Sequence, residues 1–579
     1  MKSFFTKIDT EIWILLVLSI FAWGPLLNSA YFFQAHDAQH SIFYLVEFDQ
    51  TLRDGYLWPR WSPDFAFGYG YPLFNLYAPL AVYMAEIIHL LGAGKVVAVK
   101  IIYALATIGA GLTMYGFVQR LFGKQAGLLA AIVYMYAPFH LLEIYVRSAY
   151  AEYVSLAWLP LVLWMFSELV AVPNLRRLVL AGGAYGLLAL THHTTFFTFT
   201  PFLMLYILVL MVGKARLSIA QWLRLALYNA GAGILGIALA AIYIIPVIFE
   251  RNFIKLDQWT SGSYNAAEHF VYFTQLFSPF WGYSYSGPGP IDGMSYQIGI
   301  VIYGLLVFTV IALLTFGRDL PHRSTTFIFI GASILAIWLL SPLADGAWQV
   351  LPIAALIQFP WRLLIIVILS LSVVVGALAA IFDLSRPQLG LLVLITILGS
   401  YTYAQPEYTA IPDWAETPLS VIEWDSFSPQ DRVGMVIYTD EQPVTSPLEV
   451  QYRANEPLQV ATIIAGEAQI ETTHHGGASD TVTVSGGPAT VQFYTYDFPG
   501  WQVRLNGERV DHRHEAPYGL ITVDVPAGEH TLNLRMGPTP PRISGTILSL
   551  LAVGFMVVGL FFPTVIERNL GRFRLANLS

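Results

Sequence analysis

Long apolar runs recur along the chain, and short charged stretches separate them. A helix spanning about 30 Å of hydrocarbon takes roughly 17 to 25 residues. Charge-free runs of that size lie at 12–33, 101–119, 125–142, 225–249, 293–317, 324–344, 363–382, 387–406 and 543–566. A shorter run, 153–167, lies between Glu152 and Glu168. The charge-free block Leu178–Gly213 has room for two short helices meeting near His192 and His193. The pattern predicts twelve membrane helices. The first run is too long for a cleavable leader, and no small-residue cleavage site precedes the polar stretch after it.

Residues 72–92 are apolar but interrupted by Pro72, Asn75, Pro79 and Glu86, and parity decides how they lie. If this segment does not span, the connections holding Arg120, Lys124, Arg176, Arg177, Lys214, Arg216, Arg318, Arg323 and Arg386 fall on one side. Lys2, Lys7, Arg568, Arg572 and Arg574 of the two termini join them. The positive-inside rule makes that side cytoplasmic. Residues 72–92 then form an amphipathic segment on the outer surface. Most of the 38 acidic residues fall on the outer side.

From about 407 to 540 the pattern changes to short alternating strands broken by Gly, Pro and Asn. Val503 and Leu505 lead into Asn506-Gly507, a hairpin pair. Leu520–Val525 and Thr531–Leu534 flank Pro526-Ala527-Gly528 in the same way. The expected architecture is an α-helical polytopic membrane protein with an extracytoplasmic C-terminal β-sandwich. Residues 1–406 form the transmembrane domain with a first outer loop at 34–97, and 407–540 form the β domain. Residues 543–566 form the last helix, and 567–579 a cytoplasmic tail.

Composition agrees with this reading. Of the 579 residues 56% are hydrophobic and only 12% charged, against about a quarter charged in soluble domains. The absence of cysteine rules out disulfides and thiolate metal sites. A net charge of −8 gives no sign of the basic face that nucleic acids require.

The first outer loop carries the sharpest chemistry: His36-Asp37, His40, Glu47, Asp49, Arg53, Asp54 and Trp58-Pro59-Arg60-Trp61. A carboxylate just beyond a membrane helix sits where the dielectric falls, so its basicity can be tuned for general-base work. Asp37 is the leading candidate, and the alternative is a merely solvated loop. The next outer connection holds Glu143, Arg147 and Glu152. Glu143 and Arg147 have the spacing of a helix-surface ion pair, whereas Glu152 is off that face and free to meet a cavity. Adjacent His192 and His193 point in different directions on a helix, which suits hydrogen-bonded structural roles, or one lipid-phosphate contact, better than a shared metal. Gln358 and Arg362 open a helix on the outer side, where Arg362 either clamps a phosphate bidentately or snorkels to the headgroups. The loop 251–293, with Trp259, Tyr264, Phe280, Trp281, Tyr283, Tyr285 and Asp292, suits either a sugar or an aromatic belt.

Together, Asp37 after a membrane helix, Gly68-Tyr69-Gly70-Tyr71-Pro72-Leu73-Phe74, Arg147-Ser148-Ala149-Tyr150-Ala151-Glu152, Met294-Ser295-Tyr296-Gln297 and Gln358–Arg362 resemble one family over nearly the whole chain. It is the group of bacterial membrane proteins labelled 6-pyruvoyl-tetrahydropterin synthase-related, within the GT-C glycosyltransferase superfamily. Phe498-Pro499-Gly500-Trp501 and Thr539-Pro540-Pro541-Arg542 are similar to the outer β domain of related glycosyltransferases. The sequence offers no clustered His set for the zinc that the pterin label implies.

The resemblance implies transfer of a sugar from a polyprenyl-phosphate donor to an extracytoplasmic acceptor at the bacterial cell membrane. Asp37 and Glu152 would be catalytic. His36, His40, Arg60, Arg147, His192, His193, Asp292, Gln358 and Arg362 would contact substrate or phosphate. Many relatives carry an acidic pair where this loop has Asp37 alone, so no metal or other cofactor is assigned, although the family pattern leaves room for a divalent cation. A lipid-linked glycan flippase and a silent membrane scaffold are the rival readings. The first would call for acids or broken helices near mid-bilayer.

Overall fold

The computed structural model describes residues 9–214, 217–256, 264–350, 357–427 and 435–562. Helices stand at all twelve predicted places. Among the described residues, seven are long and apolar enough to cross a membrane: Thr10–Leu27, Lys95–Phe122, Tyr150–Ala171, His193–Val212, Ile219–Leu239, Pro360–Ile381 and Pro540–Phe561. Two bent pairs, Lys124–Tyr136 with Pro138–Tyr145 (44°) and Arg323–Leu339 with Pro342–Val350 (82°), raise the number to nine. Leu175–Thr191, Ile300–Thr315 and Arg386–Ser400, of 17, 16 and 15 residues, are shorter. The apolar runs overshoot where local geometry ends the helix. Gly24-Pro25 tightens the first helix, which stops at Leu27 rather than 33. Gly299, at φ +93°, delays the start of the helix read at 293 to Ile300. Lys2, Lys7, Arg216, Trp259, Arg568, Arg572 and Arg574 lie outside the described residues.

Pro360–Ile381 forms the centre of the bundle. Every side chain from Leu364 to Ala379 is buried, as expected of a helix that is apolar all round. It packs against Lys124–Tyr136 and Arg323–Leu339. The segment 34–97, read as the first outer loop, is largely helical. Ala38–Arg53 is one helix that buries Ile42, Leu45, Val46 and Phe48. Residues 72–92 give two short helices, Leu73–Leu76 and Leu80–Leu90. Eleven residues rise only about 16 Å, too little to span. Ala81, Val82, Ala85 and Glu86 are buried while Ile87, Leu90 and Leu91 are exposed.

The region 407–540 reads as β throughout, yet its strands begin only at Ala461. Two helices precede them, Leu419–Phe427 and Pro447–Ala454. The second is capped by Ser446 with proline at its first position. Strands β1 (Ala461–His475), β2 (Ser479–Tyr496), β3 (Trp501–Leu505), β4 (Glu508–Val510), β5 (Arg513–Glu515), β6 (Leu520–Val525) and β7 (Gly528–Met536) join into one continuous antiparallel sheet. Asn506-Gly507, both at positive φ, make the predicted β3–β4 hairpin. Pro526-Ala527-Gly528 does not make a hairpin. Val525 pairs with Ala489 and Gly528 with Gly486 on the same edge of β2. β6 and β7 are therefore one long strand, interrupted where Pro526 lacks an N–H to pair.

Buried polar bonds fasten the β domain to the membrane part. Arg542, opening the last helix, donates to Glu250 at 2.9 Å, to the Pro499 carbonyl at 2.7 Å and to the Gly537 carbonyl at 3.0 Å. Asn75 donates to the same Glu250 at 2.7 Å, and Arg60 donates to Asn75 at 2.9 Å. On the far side, Asp54 ends the helix Ala38–Arg53 and accepts from Ala478 N at 2.9 Å and Ser479 Oγ at 2.8 Å. Gly477 makes this approach feasible, since a Cβ there would stand 2.3 Å from Thr51 Cα. Replacing Arg542 with Met leaves Glu250 buried without its cation, at a cost of about 3–5 kcal/mol. A lowered melting temperature in detergent is expected, and Glu250→Gln in the same chain should recover part of it.

Candidate functional site

The site forms where helix breaks meet the segment that leads into Ala38–Arg53. The chain leaves Pro138–Tyr145, passes Val146–Ala149 and re-enters a helix at Tyr150. Ser148 takes φ +50° in this break, and Tyr103 holds it through its hydroxyl and carbonyl, both at 2.9 Å. The first outer segment hangs on the same strip of backbone. His36 N donates to the Val146 carbonyl at 3.1 Å and Asp37 N to the Arg147 carbonyl at 2.7 Å.

Arg147 lies between two acids. Its Nη1 donates to both Glu143 oxygens at 2.6 Å and to Glu152 at 2.9 Å. All three side chains are at most 5% exposed, and the Trp361 ring covers the guanidinium at 4.3 Å. The surface ion pair read from spacing is thus a buried triad, and Glu152, read as free, is its third member. Helix geometry alone could not reveal this, because the break at 146–149 turns Glu152 back towards Arg147. Arg362 completes the group. Its Nε stands 3.6 Å from Glu152, and its Nη1 donates to the Ile357 carbonyl and to Gln358 Oε1 at 2.9 Å each. Its Nη2 has no protein partner among the described residues.

Asp37 stands at the mouth of this group. It takes the N-cap position of Ala38–Arg53, yet its side chain makes no capping bond. Its carboxylate is 43% exposed, with His40 Nδ1 at 3.9 Å. Its charge acts on Arg147 and Arg362. Tyr44 and Tyr77, which residue-type reasoning missed, also feel that charge. Tyr77 follows the Gly-Tyr-Gly-Tyr-Pro run by a few residues, the one signal that pointed near it.

The other candidates separate. His36 donates its Nε2 proton to the carbonyls of Tyr283 and Ser284, at 3.2 and 3.1 Å, and stacks on Tyr285. Burial pushes its pKa down and keeps it neutral. It positions the loop rather than offering a cation. His40 packs among Phe43, Tyr44 and Trp424. His192 caps the next helix by accepting from Thr195 N, and its ring lies beside that of His193. The charges of Glu152 and Arg362 both reach His192 and His193. Arg60 is not in the site, because its guanidinium is buried against Asn75 and the Ile242 carbonyl under the β domain. Asp292 lies in a separate pocket, lined by Gln275, Phe280 and Tyr296 among others. Among the described residues no three His, Asp or Glu side chains gather as a metal set.

A model of the family described as 6-pyruvoyl-tetrahydropterin synthase related domain, membrane protein, matches residues 74–412. A curated protein of Lactococcus lactis subsp. cremoris (strain MG1363), described only as uncharacterized, is 24% identical over 274 residues, covering 45% of this chain and 42% of its own. The match therefore spans less than half of that relative. Among solved structures, the arabinofuranosyltransferase AftD from mycobacteria matches 70% of this chain and 28% of its own, at 13% identity and a TM-score of 0.45. ArnT from Cupriavidus metallidurans, bound to undecaprenyl phosphate, matches 67% and 64% at 14% identity and 0.42. The archaeal oligosaccharyltransferase AglB from Archaeoglobus fulgidus, with an inhibitory peptide and a dolichol-phosphate, matches 76% and 61% at 15% identity and 0.41. These are remote likenesses.

The two arginines differ in what they support. Arg147→Met leaves Glu143 and Glu152 buried together without their shared donor and should destabilise the protein by about 3–5 kcal/mol. Arg362→Met should cost less, because only the 3.6 Å contact to Glu152 and the bonds to Ile357 and Gln358 are lost. Thermal melting of the two purified variants compares them directly.

Proposed function

The chain belongs to the 6-pyruvoyl-tetrahydropterin synthase-related family of membrane proteins, and we propose that it is a glycosyltransferase working at the outer face of the membrane. The observation that carries the reading is the pairing of a half-exposed carboxylate, Asp37, with a guanidinium, Arg362, that keeps one nitrogen unengaged. The sequence motifs that resemble the GT-C superfamily supply the donor class, a sugar on a polyprenyl phosphate. Such a donor brings its own membrane anchor, which fits a chain without a glycine-rich nucleotide loop.

In the proposed reaction the acceptor hydroxyl enters beside Asp37. Its oxygen attacks the anomeric carbon from the side opposite the lipid phosphate. Asp37 takes the hydroxyl proton, the new glycosidic C–O bond forms, and the bond to phosphate breaks with inversion. The departing phosphate keeps the electron pair. Arg362 Nη2 meets the developing charge, with Arg147 behind it. Glu152 and Glu143 hold the two guanidiniums in place, so Glu152 orients rather than reacts. His193 stands at the edge of this region, where its ring N–H would donate a hydrogen bond to the lipid phosphate.

Asp37→Asn removes the base and keeps the shape. Transfer of radiolabelled sugar from a polyprenyl phosphate to membrane acceptors should fall by about 10²–10⁴-fold, with an unchanged melting temperature. Wild-type transfer by this variant would remove Asp37 from the role. Arg362→Lys keeps the charge but loses the planar fork, and a tenfold or larger fall in kcat, at near-constant acceptor KM, is expected.

A further inference from the structure

An outer pocket of about 320 Å³ lies beside the site, lined by Gln275, Phe280, Ile291, Asp292 and Tyr296 among others. Ligand pockets start near about 300 Å³, so the space suits a mono- or disaccharide. Its chemistry is one-sided. Among the described residues of the lining, Asp292 is the one charged side chain, with no Lys, Arg or His beside it. The buried tyrosine hydroxyl of Tyr296 lies against it. Asp292 accepts from Met294 N at 2.8 Å, and Gln275 Nε2 is 3.5 Å from its other oxygen. Gln275 is fixed in turn by accepting from Tyr272 N at 2.7 Å. The Tyr296 hydroxyl and Gly287 N also act on the Asp292 carboxylate, so its roughly four acceptor directions are taken, and an incoming sugar hydroxyl would replace the long Gln275 contact. Burial raises the Asp292 pKa. Phe280 and Ile291, 50% and 90% exposed, form an apolar rim.

The pocket is mechanically joined to Asp37. Tyr283 bridges Met294, and Ser284 N donates to the Gly293 carbonyl at 3.1 Å. Gly293 permits this rung, since a Cβ there would stand 2.3 Å from Ser284 Cβ. On the same rung, the carbonyls of Tyr283 and Ser284 seat His36, the neighbour of Asp37. Arg147 and Arg362 supply the positive charge beside Glu152, Asp292 supplies the negative charge of the pocket, and the charge of Arg147 reaches Tyr296 between them.

We infer that the Asp292 pocket binds the acceptor, and that the acceptor there is a neutral, polyhydroxylated carbohydrate whose vicinal hydroxyls bond Asp292 and Gln275 while its ring C–H face lies on Phe280. An anionic group is turned away by Asp292, which keeps the donor phosphate on the arginine side. This rests on the glycosyltransferase reading for the word acceptor, but binding does not require transfer.

The test is saturation-transfer NMR on the purified full chain with three neutral probes: methyl α-glucoside, methyl α-mannoside and methyl α-galactoside. At least one should bind wild type and Asp37→Asn alike, and bind Asp292→Asn about tenfold or more weakly. Ile291→Trp, at an exposed rim position that leaves folding intact, should also weaken it. In a transfer assay Asp292→Asn should raise the acceptor KM and leave the donor KM unchanged. Equal binding by wild type and both pocket variants, or no binding of any probe by a protein active in transfer, would overturn the pocket. Asp292-dependent binding by a protein inactive in transfer would sustain the pocket and instead count against the reaction.

Discussion

Arg147 must be neutralised inside the protein, and much of the site follows from how that is done. A guanidinium removed from water costs several kcal/mol unless acids surround it with good hydrogen bonds. Glu143 precedes it on one helix and Glu152 follows on the next, so the chain must break and turn back between them. That turn exposes the carbonyls of Val146 and Arg147, and the first outer segment hydrogen-bonds to both. Asp37 is thereby placed by backbone bonds, leaving its carboxylate unengaged by capping. Arg362 then supplies a second positive charge to Glu152 from the most buried helix of the bundle.

The membrane helices were legible because burial in lipid demands long charge-free runs, and each run marked a helix. Their ends were not, since Gly24-Pro25 and Gly299 act locally inside apolar sequence. The first outer segment read as polar loop because its helix Ala38–Arg53 mixes buried acids with aromatics: Glu47 and Asp49 are both buried there. Their partners, Asp64 N for Glu47 and Lys95 with His89 alongside Arg53 for Asp49, make the helix intelligible. The same blindness hid the course of β6 and β7. A Pro-Ala-Gly triplet has the composition of a turn, and only the pairing of both strands with one edge of β2, some forty residues earlier, shows that the chain runs straight on.

For the site, the residue types were visible and their grouping was half visible. Asp37, Arg147, Glu152 and Arg362 all stood out by position next to apolar runs, and they do converge. Arg60 stood out for the same reason and went elsewhere, because Asn75 and Glu250 offered it a buried acceptor chain under the β domain. Near the membrane boundary an arginine is conspicuous whatever it does. What separates the two kinds is which groups surround the fork, Asn75 and a backbone carbonyl for Arg60, Glu152 and Gln358 for Arg362, and that is a property of three-dimensional neighbours.

The clamp on Ala38–Arg53 bears on the order in which the molecule is made. One end of that helix is tied to the Arg147 strip, the other to Asp54 and the β1–β2 turn, 425 residues later in the chain. The Glu250–Arg542 bond waits longer still, for the last helix. A ribosome completes the chain from the N-terminus, so the membrane bundle assembles while the helix Ala38–Arg53 is fastened at one end only. Closure of such distant contacts is slow. The candidate site is therefore braced late in folding, after the β domain has formed, and a chain stopped before that point carries the residues of the site without the struts that hold them.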